Sequence, residues 1–166
     1  AHIQQQIFRL LKSTDNQPST VNCIGNLLPI DGQCELYSFL HSLGISQIKH
    51  ISQCKTYAQF QTMATAACNL VLSPNGLAAA KRMKADLGIP YLELPVSYAL
   101  DNIDQQYEQL QQALGKTSSM DLSVLRQQAE QEIAQTRQLL GDLPILLDGA
   151  AVAHPFALAW FLYQQG

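Results

Sequence analysis

A chain of 166 residues, 47% hydrophobic and 14% charged, is long enough for one domain with a full core and short for two. Its formal net charge of −3, with ten scattered Lys and Arg residues, argues against nucleic acid or anionic lipid as a partner, since both call for a concentrated basic face. No stretch approaches the roughly 20 apolar residues that span a bilayer, and the start, AHIQQQIFRLLK, lacks the basic and apolar regions of a signal peptide, so a cytoplasmic location is expected.

In chain order, Ile3, Ile7, Leu10 and Leu11 predict a short amphipathic helix. Residues 13–20 read as a polar linker, where Asp15, Asn16 and Pro18 suit irregular backbone. The apolar run from Val21 predicts a central strand. It leads through a turn with Gly25, Asn26, Pro29, Asp31 and Gly32 into a helix. Leu36, Phe39, Leu40 and Leu43 share one face of that helix, and Gly44 closes it. Residues 47–51, where Lys49 and His50 stand among isoleucines, predict an edge strand. Residues 56–67 predict a helix with Tyr57, Phe60 and Ala64 inward, and 69–72 a short buried strand. After the turn Ser73-Pro74-Asn75-Gly76, a helical stripe of Leu77, Ala80, Met83 (or the stem of Lys84) and Leu87 runs to Gly88. A fourth strand, 91–94, follows between two prolines.

Asp101 reads as the N-cap of a helix carrying Ile103, Tyr107, Leu110 and Leu114, closed by Gly115. Ser118, with Asp121 three residues later, resembles a capping box for a long helix ending at Leu140. Leu122, Leu125, Ala129, Ile133 and Leu140 form its inner face. Residues 144–147 make a fifth apolar run, and Pro155 opens a last helix. Phe156, Leu158, Trp160, Phe161 and Leu162 leave that helix apolar nearly all round, which predicts packing against the long helix on one side and a second chain on another.

This alternation predicts an α/β, Rossmann-like fold: a mainly parallel sheet of four to five strands, in the order 2-1-3-4, with helices on both faces. Ligands of such sheets meet the loops at the carboxyl ends of the strands, near the switch between the first and third. Here those loops are residues 25–31, 73–76 and 95–98, and the first two are expected side by side at the mouth of a cleft. His154, at the start of the last helix just past Asp148 and Gly149, belongs with the loop residues that face it.

Motifs of specific chemistry are absent. Gly25 and Gly32 are too far apart for a GxGxxG turn, and no acidic residue closes the second strand, which argues against a dinucleotide. Gly115-Lys116-Thr117 follows a helix, with Leu110 where a phosphate loop has glycine. His2, His41, His50 and His154 stand apart with no HExxH, and Ser73 is not within GxSxG. Cys23, Cys34, Cys54 and Cys68 form no CxxC pair and read as isolated reduced thiols.

The segment VNCIGN…DGQCELYSFLHSLGI resembles the opening of a middle domain in nitrogenase component 1-type proteins, as do MATAACNLV (63–71) and AAKRMKADLGIP (79–90). That family includes the nitrogenase molybdenum–iron protein chains, their cofactor-assembly relatives and dark-operative protochlorophyllide reductase. The resemblance implies an N-terminal helix and linker at 1–20, the Rossmann-like domain at 21–142, and at 143–166 the start of a following domain. It implies a part in multi-electron reduction or cofactor assembly, with Asn26, Ser73, Asn75 and Gly76 contacting a cofactor or substrate and His154 as a further contact. Iron–sulfur centres would lie elsewhere in a longer parent, fed by an ATP-dependent iron–sulfur reductase, and a homo- or hetero-oligomer with a related chain is implied. No cofactor or metal ligand is expected within these residues. Relatives that hold the iron–molybdenum cofactor place a cysteine where Ser73 stands. They also carry an arginine in the loop where this chain has Ala150, Ala151, Val152 and Ala153. Those departures favour an alternative, a non-catalytic binding or scaffold module that keeps the fold.

Overall fold

The computed structural model describes residues 2–26, 28–149, 152 and 154–166. At its centre two apolar strands run parallel, β1 (Gln17–Ile24) and β3 (Ala66–Val71), with Val21 opposite Cys68 and Ile24 opposite Val71. β2 (Gln47–His50) pairs parallel with β1, and β4 (Tyr91–Glu93) pairs parallel with β3. The order is therefore β2-β1-β3-β4, as the apolar pattern predicts, with the mixed-polarity β2 at an edge. The fifth apolar run forms no strand; Ile145 and Leu146 within it are exposed.

The chain divides into two units: Ala1–Pro95 with Glu108–Ser119, and Val96–Tyr107 with Met120–Gly166. In the first, strand alternation sends Ile24 and Val71 to one face of the sheet. There they pack with Phe8 and Leu11, with Phe60 of α3 (Tyr57–Gln61), and with Ala80 and Met83 of α4 (Leu77–Leu87). α1 (His2–Phe8) lies against α4. Val21, Cys23, Cys68 and Leu70 alternate to the other face, where α2 (Glu35–Ser42) buries Phe39 and Leu40. Gly44 and Gly88 take positive φ, 73° and 71°, and end α2 and α4 as left-handed caps.

Several elements differ from the expectation for physical reasons. β1 begins at Gln17, so the second half of the polar linker is strand: Gln17 pairs with Ala66 and Thr20 with Gln47. Phe8, at the end of α1, and Leu11 beyond it are buried, while Ile3 in α1 and Leu10 in the turn after it are exposed. The expected helix 56–67 breaks after Gln61 into a 3-10 turn, Thr62–Thr65, and Tyr57 is exposed, its hydroxyl donating to the Leu10 carbonyl (3.2 Å).

α5 (Leu100–Leu114) runs through both units and ends at Gly115, φ 62°. It starts one residue before Asp101, so Asp101 sits in the first turn and pairs with Arg126 (2.7 Å) instead of capping. α6 (Ser123–Leu140) begins after Asp121, whose carboxylate accepts from the Ser123 amide (2.9 Å). Ser118 meets Ser42 (2.5 Å between hydroxyl oxygens) and takes no part in a capping box. α6 has no buried residue, so its predicted inner face is half-covered at Leu122, Ala129, Ile133 and Leu140, and Leu125 is exposed. In the same unit, α7 (Pro155–Gln165) lines a cavity of about 440 Å³ with α6, between Ile133, Leu140, Ala159 and Leu162.

Candidate functional site

β1 and β3 are parallel neighbours, so the loops that leave them emerge at the same edge of the sheet. The Leu72 amide donates to the Ile24 carbonyl (3.0 Å) and carries the pairing one step past β3. Beyond it, the two backbones touch. Gly25 has φ 104°, and a Cβ there would lie 2.7 Å from the Ser73 carbonyl oxygen. A Cβ on Gly76 would lie 2.7 Å from both Cα and N of Gly25. No ligand atom fits between these backbones, so any ligand at this edge rests on top of the contact.

Ser73 is extended (φ −147°, ψ 146°), and its hydroxyl accepts from the Asn75 amide (3.4 Å). Pro74 supplies the first position of the 3-10 turn Pro74–Gly76, which runs straight into α4. Asn26 and Asn75 are exposed, and Ser73 is half-buried. The structure thus brings Ser73, Asn75 and Gly76 to Gly25, the neighbour of Asn26, as the topology predicts. Leu27, in the same loop, lies outside the described residues. His154 belongs to the second unit, where it precedes α7, is half-buried and makes no side-chain cap. Ala150, Ala151 and Ala153, the residues replacing the relatives' arginine loop, also lie outside the described residues.

One polar pair beside this edge was not singled out from sequence. Tyr37, on α2, sits 2.9 Å from Nε2 of His50 at the end of β2, and its hydroxyl also reaches the Ile30 carbonyl (3.4 Å). Tyr37 therefore ties the loop after β1 to the adjacent strand. Burial lowers the His50 pKa from its ordinary value, keeping the imidazole neutral. The signal available in the sequence was a histidine at the end of an edge strand.

The thiols nearby do not fit an iron–sulfur cluster. Clusters are held by thiolates, and burial pushes Cys23 up to about 12 and Cys68 up to about 11. Cys34 and Cys54 are raised as well, chiefly by desolvation. The Ser73 hydroxyl is a poor ligand for soft iron. Among the described residues no group of three or more His, Cys, Asp or Glu is arranged to hold a metal ion.

The second unit carries its own polar centre. Arg126 meets Asp101 (2.7 Å), Glu130 (2.9 Å) and Asp104, which together push its pKa up. A cavity of about 690 Å³ lies beside it, bordered by Arg137, Gln138 and Phe161.

A four-stranded parallel sheet with helices on both faces, and paired loops at its carboxyl edge, defines a Rossmann-like α/β protein. Residues 2–166 match the family described as nitrogenase component 1 type oxidoreductase, and the chain belongs to that family. No curated protein and no solved structure matched in the other two comparisons. No helix among the described residues is long and apolar enough to cross a membrane.

Two outcomes follow from this geometry. Gly76→Ala drives a Cβ into the backbone of Gly25 and is expected to cost about 1–3 kcal/mol. Gly32→Ala, with no described residue within 4 Å of its Cβ, should stay within about 0.5 kcal/mol of the parent. Urea denaturation followed by circular dichroism measures both.

The second outcome is acid sensitivity. His50 is held below its ordinary pKa of 6.5 in the fold, so below that pH the unfolded chain binds more protons than the folded one. The stability from neutral His50 is present above about pH 6.5 and lost as the pH falls toward its folded pKa. The urea midpoint should drop between about pH 7.5 and pH 5.5, and His50→Gln should flatten that drop.

Proposed function

We propose that this chain is a cofactor- or substrate-facing domain of a nitrogenase component 1-like oxidoreductase, taking part in multi-electron reduction or in cofactor assembly. The observation that carries the reading is the juxtaposition of Gly25, Ser73 and Gly76 at the carboxyl edge of the sheet, in a chain of this family. Asn26, Ser73, Asn75 and Gly76 form the contact surface. Asn26 and Asn75 offer exposed amides to polar groups, Ser73 shapes the turn beneath them, and Gly76 admits the close backbone approach. His154, in the second unit, is a separate candidate contact.

In this reading the electron-carrying iron–sulfur centres belong to other parts of a longer parent, as membership of the family implies. An ATP-dependent iron–sulfur reductase delivers the electrons, and the assembly contains a related chain. Exposed Phe156 and Trp160 on α7, with Tyr163 stacked on Trp160 (5.7 Å between rings), support an interface there. A second reading, a non-catalytic scaffold module, draws support from Ser73. Its hydroxyl is engaged with the Asn75 amide, where relatives place a ligating cysteine.

The complete gene product, purified without oxygen and mixed with its reductase and ATP, tests the reading. It should carry the visible absorbance of thiolate-bound clusters and turn over. Asn26→Ala and Asn75→Ala should each lower kcat/KM roughly 2- to 10-fold, the worth of one hydrogen bond, with the unfolding midpoint unchanged. A colourless product without reductase-dependent turnover would replace the catalytic reading with the scaffold.

A further inference from the structure

α6 spans 18 residues, and none of them is buried. Val124, Leu125 and Leu139 are exposed, so apolar packing holds the helix only along the half-covered stripe of Ala129, Ile133 and Leu140. Between the first half of α6 and the start of α5 there is space rather than packing. Leu100 and Asp101 of α5, with Arg126, Glu130, Ile133 and Ala134 of α6, border the cavity of about 690 Å³. A helix of this length is marginal in water without tertiary support.

Among the described residues, the ion pairs between α5 and α6 are those of Arg126. Its guanidinium donates through Nη2 to Asp101 (2.7 Å), through Nη1 to Asp104, and through Nε to Glu130 (2.9 Å). The two aspartates stand three apart at the start of α5, so they share one face and meet the two arms of one fork. Local preference gives no reason for an arginine at this position. It is the fourth residue of α6, where the free helix amides disfavour a cation. It also precedes Glu130, the weaker order for a pair four residues apart. The compensation comes from the other helix. All four side chains belong to the second unit, and Asp101 is 81% exposed, so dissolved ions reach the cluster.

We propose that Arg126 is an electrostatic strap that keeps α6 ordered against α5 and closed over the cavity. Screening or removing the strap releases the first half of α6, which then frays and opens the cavity to solvent. Salt is the natural lever, because the range of a charge in water shrinks from about 30 Å at 0.01 M salt to about 3 Å at 1 M. The strap belongs to the second unit alone and does not rest on the function proposed for the sheet edge.

Amide hydrogen exchange of the unsubstituted chain, read by nuclear magnetic resonance at about 0.01 M and about 1 M sodium chloride, tests this. The amides of residues 127–134 should exchange roughly 3- to 30-fold faster at the higher salt, while those of Val21 to Ile24 and Cys68 to Val71 keep their rates. Arg126→Gln should show the fast rates at low salt and lose the salt response. Asp101→Asn/Asp104→Asn, which leaves the Glu130 pair in place, should do the same. Equal α6 rates at the two salt concentrations would overturn the proposal. So would fast exchange in Arg126→Gln but not in the aspartate variant, because the pair within α6 would then be what orders the helix. A rise shared by the β1 and β3 amides would overturn it too, since the whole fold would then be opening. The unsubstituted chain decides the salt response even if the variants do not fold.

Discussion

At the carboxyl ends of β1 and β3, the backbone of Gly76 lies against the backbone of Gly25, with no room for a Cβ on either. That contact requires the two strands to be neighbours, parallel and held in one register. The register in turn rests on a row of paired residues, from Asn22 opposite Asn69 to Ile24 opposite Val71. Apolar burial on both faces brings the strands together, but it discriminates weakly between registers when both faces are apolar. Directional hydrogen bonds within the row supply the discrimination. The placement of Ser73 and Asn75 beside the loop after β1 is a consequence of that row.

The same row explains where the chain departs from its own local preferences. Residues 62–67, Thr-Met-Ala-Thr-Ala-Ala, carry no helix-breaking residue, and periodicity alone continues the helix through them. The helix gives way there to a 3-10 turn, Thr62–Thr65, whose Thr62 and Met63 carbonyls also accept from Lys49 and Asn22. Those donors lie on other strands, far away in sequence, so no local pattern could announce them. β1 starts early for a related reason. Gln17 and Thr20 look like linker residues, yet pairing with Ala66 and Gln47 places them in the sheet.

Much of the remainder was legible. The strand order followed from two continuous apolar runs flanked by more polar ones, and Gly44, Gly88 and Gly115 ended their helices where expected. The meeting of residues 25 and 73–76 followed from topology. The Asn22–Asn69 pair was harder to see, because an asparagine in an apolar run has no meaning until the register is known. Along α6 the pattern of apolar residues overstated burial, since a stripe says which face is apolar and not whether anything covers it. The family resemblance rested on scattered short matches, and the match over residues 2–166 bears it out.

Native-state hydrogen exchange gives the most direct check on the β1–β3 pairing as the organising contact. Amides that open only with the whole fold exchange slowest, and amides of loosely covered elements exchange through local opening. The account predicts that the slowest amides are those of Val21 to Ile24 and Cys68 to Val71, with the amides of α6 exchanging much faster. Amides of α6 as protected as those of β1, or β1 and β3 exchanging at different rates, would contradict it.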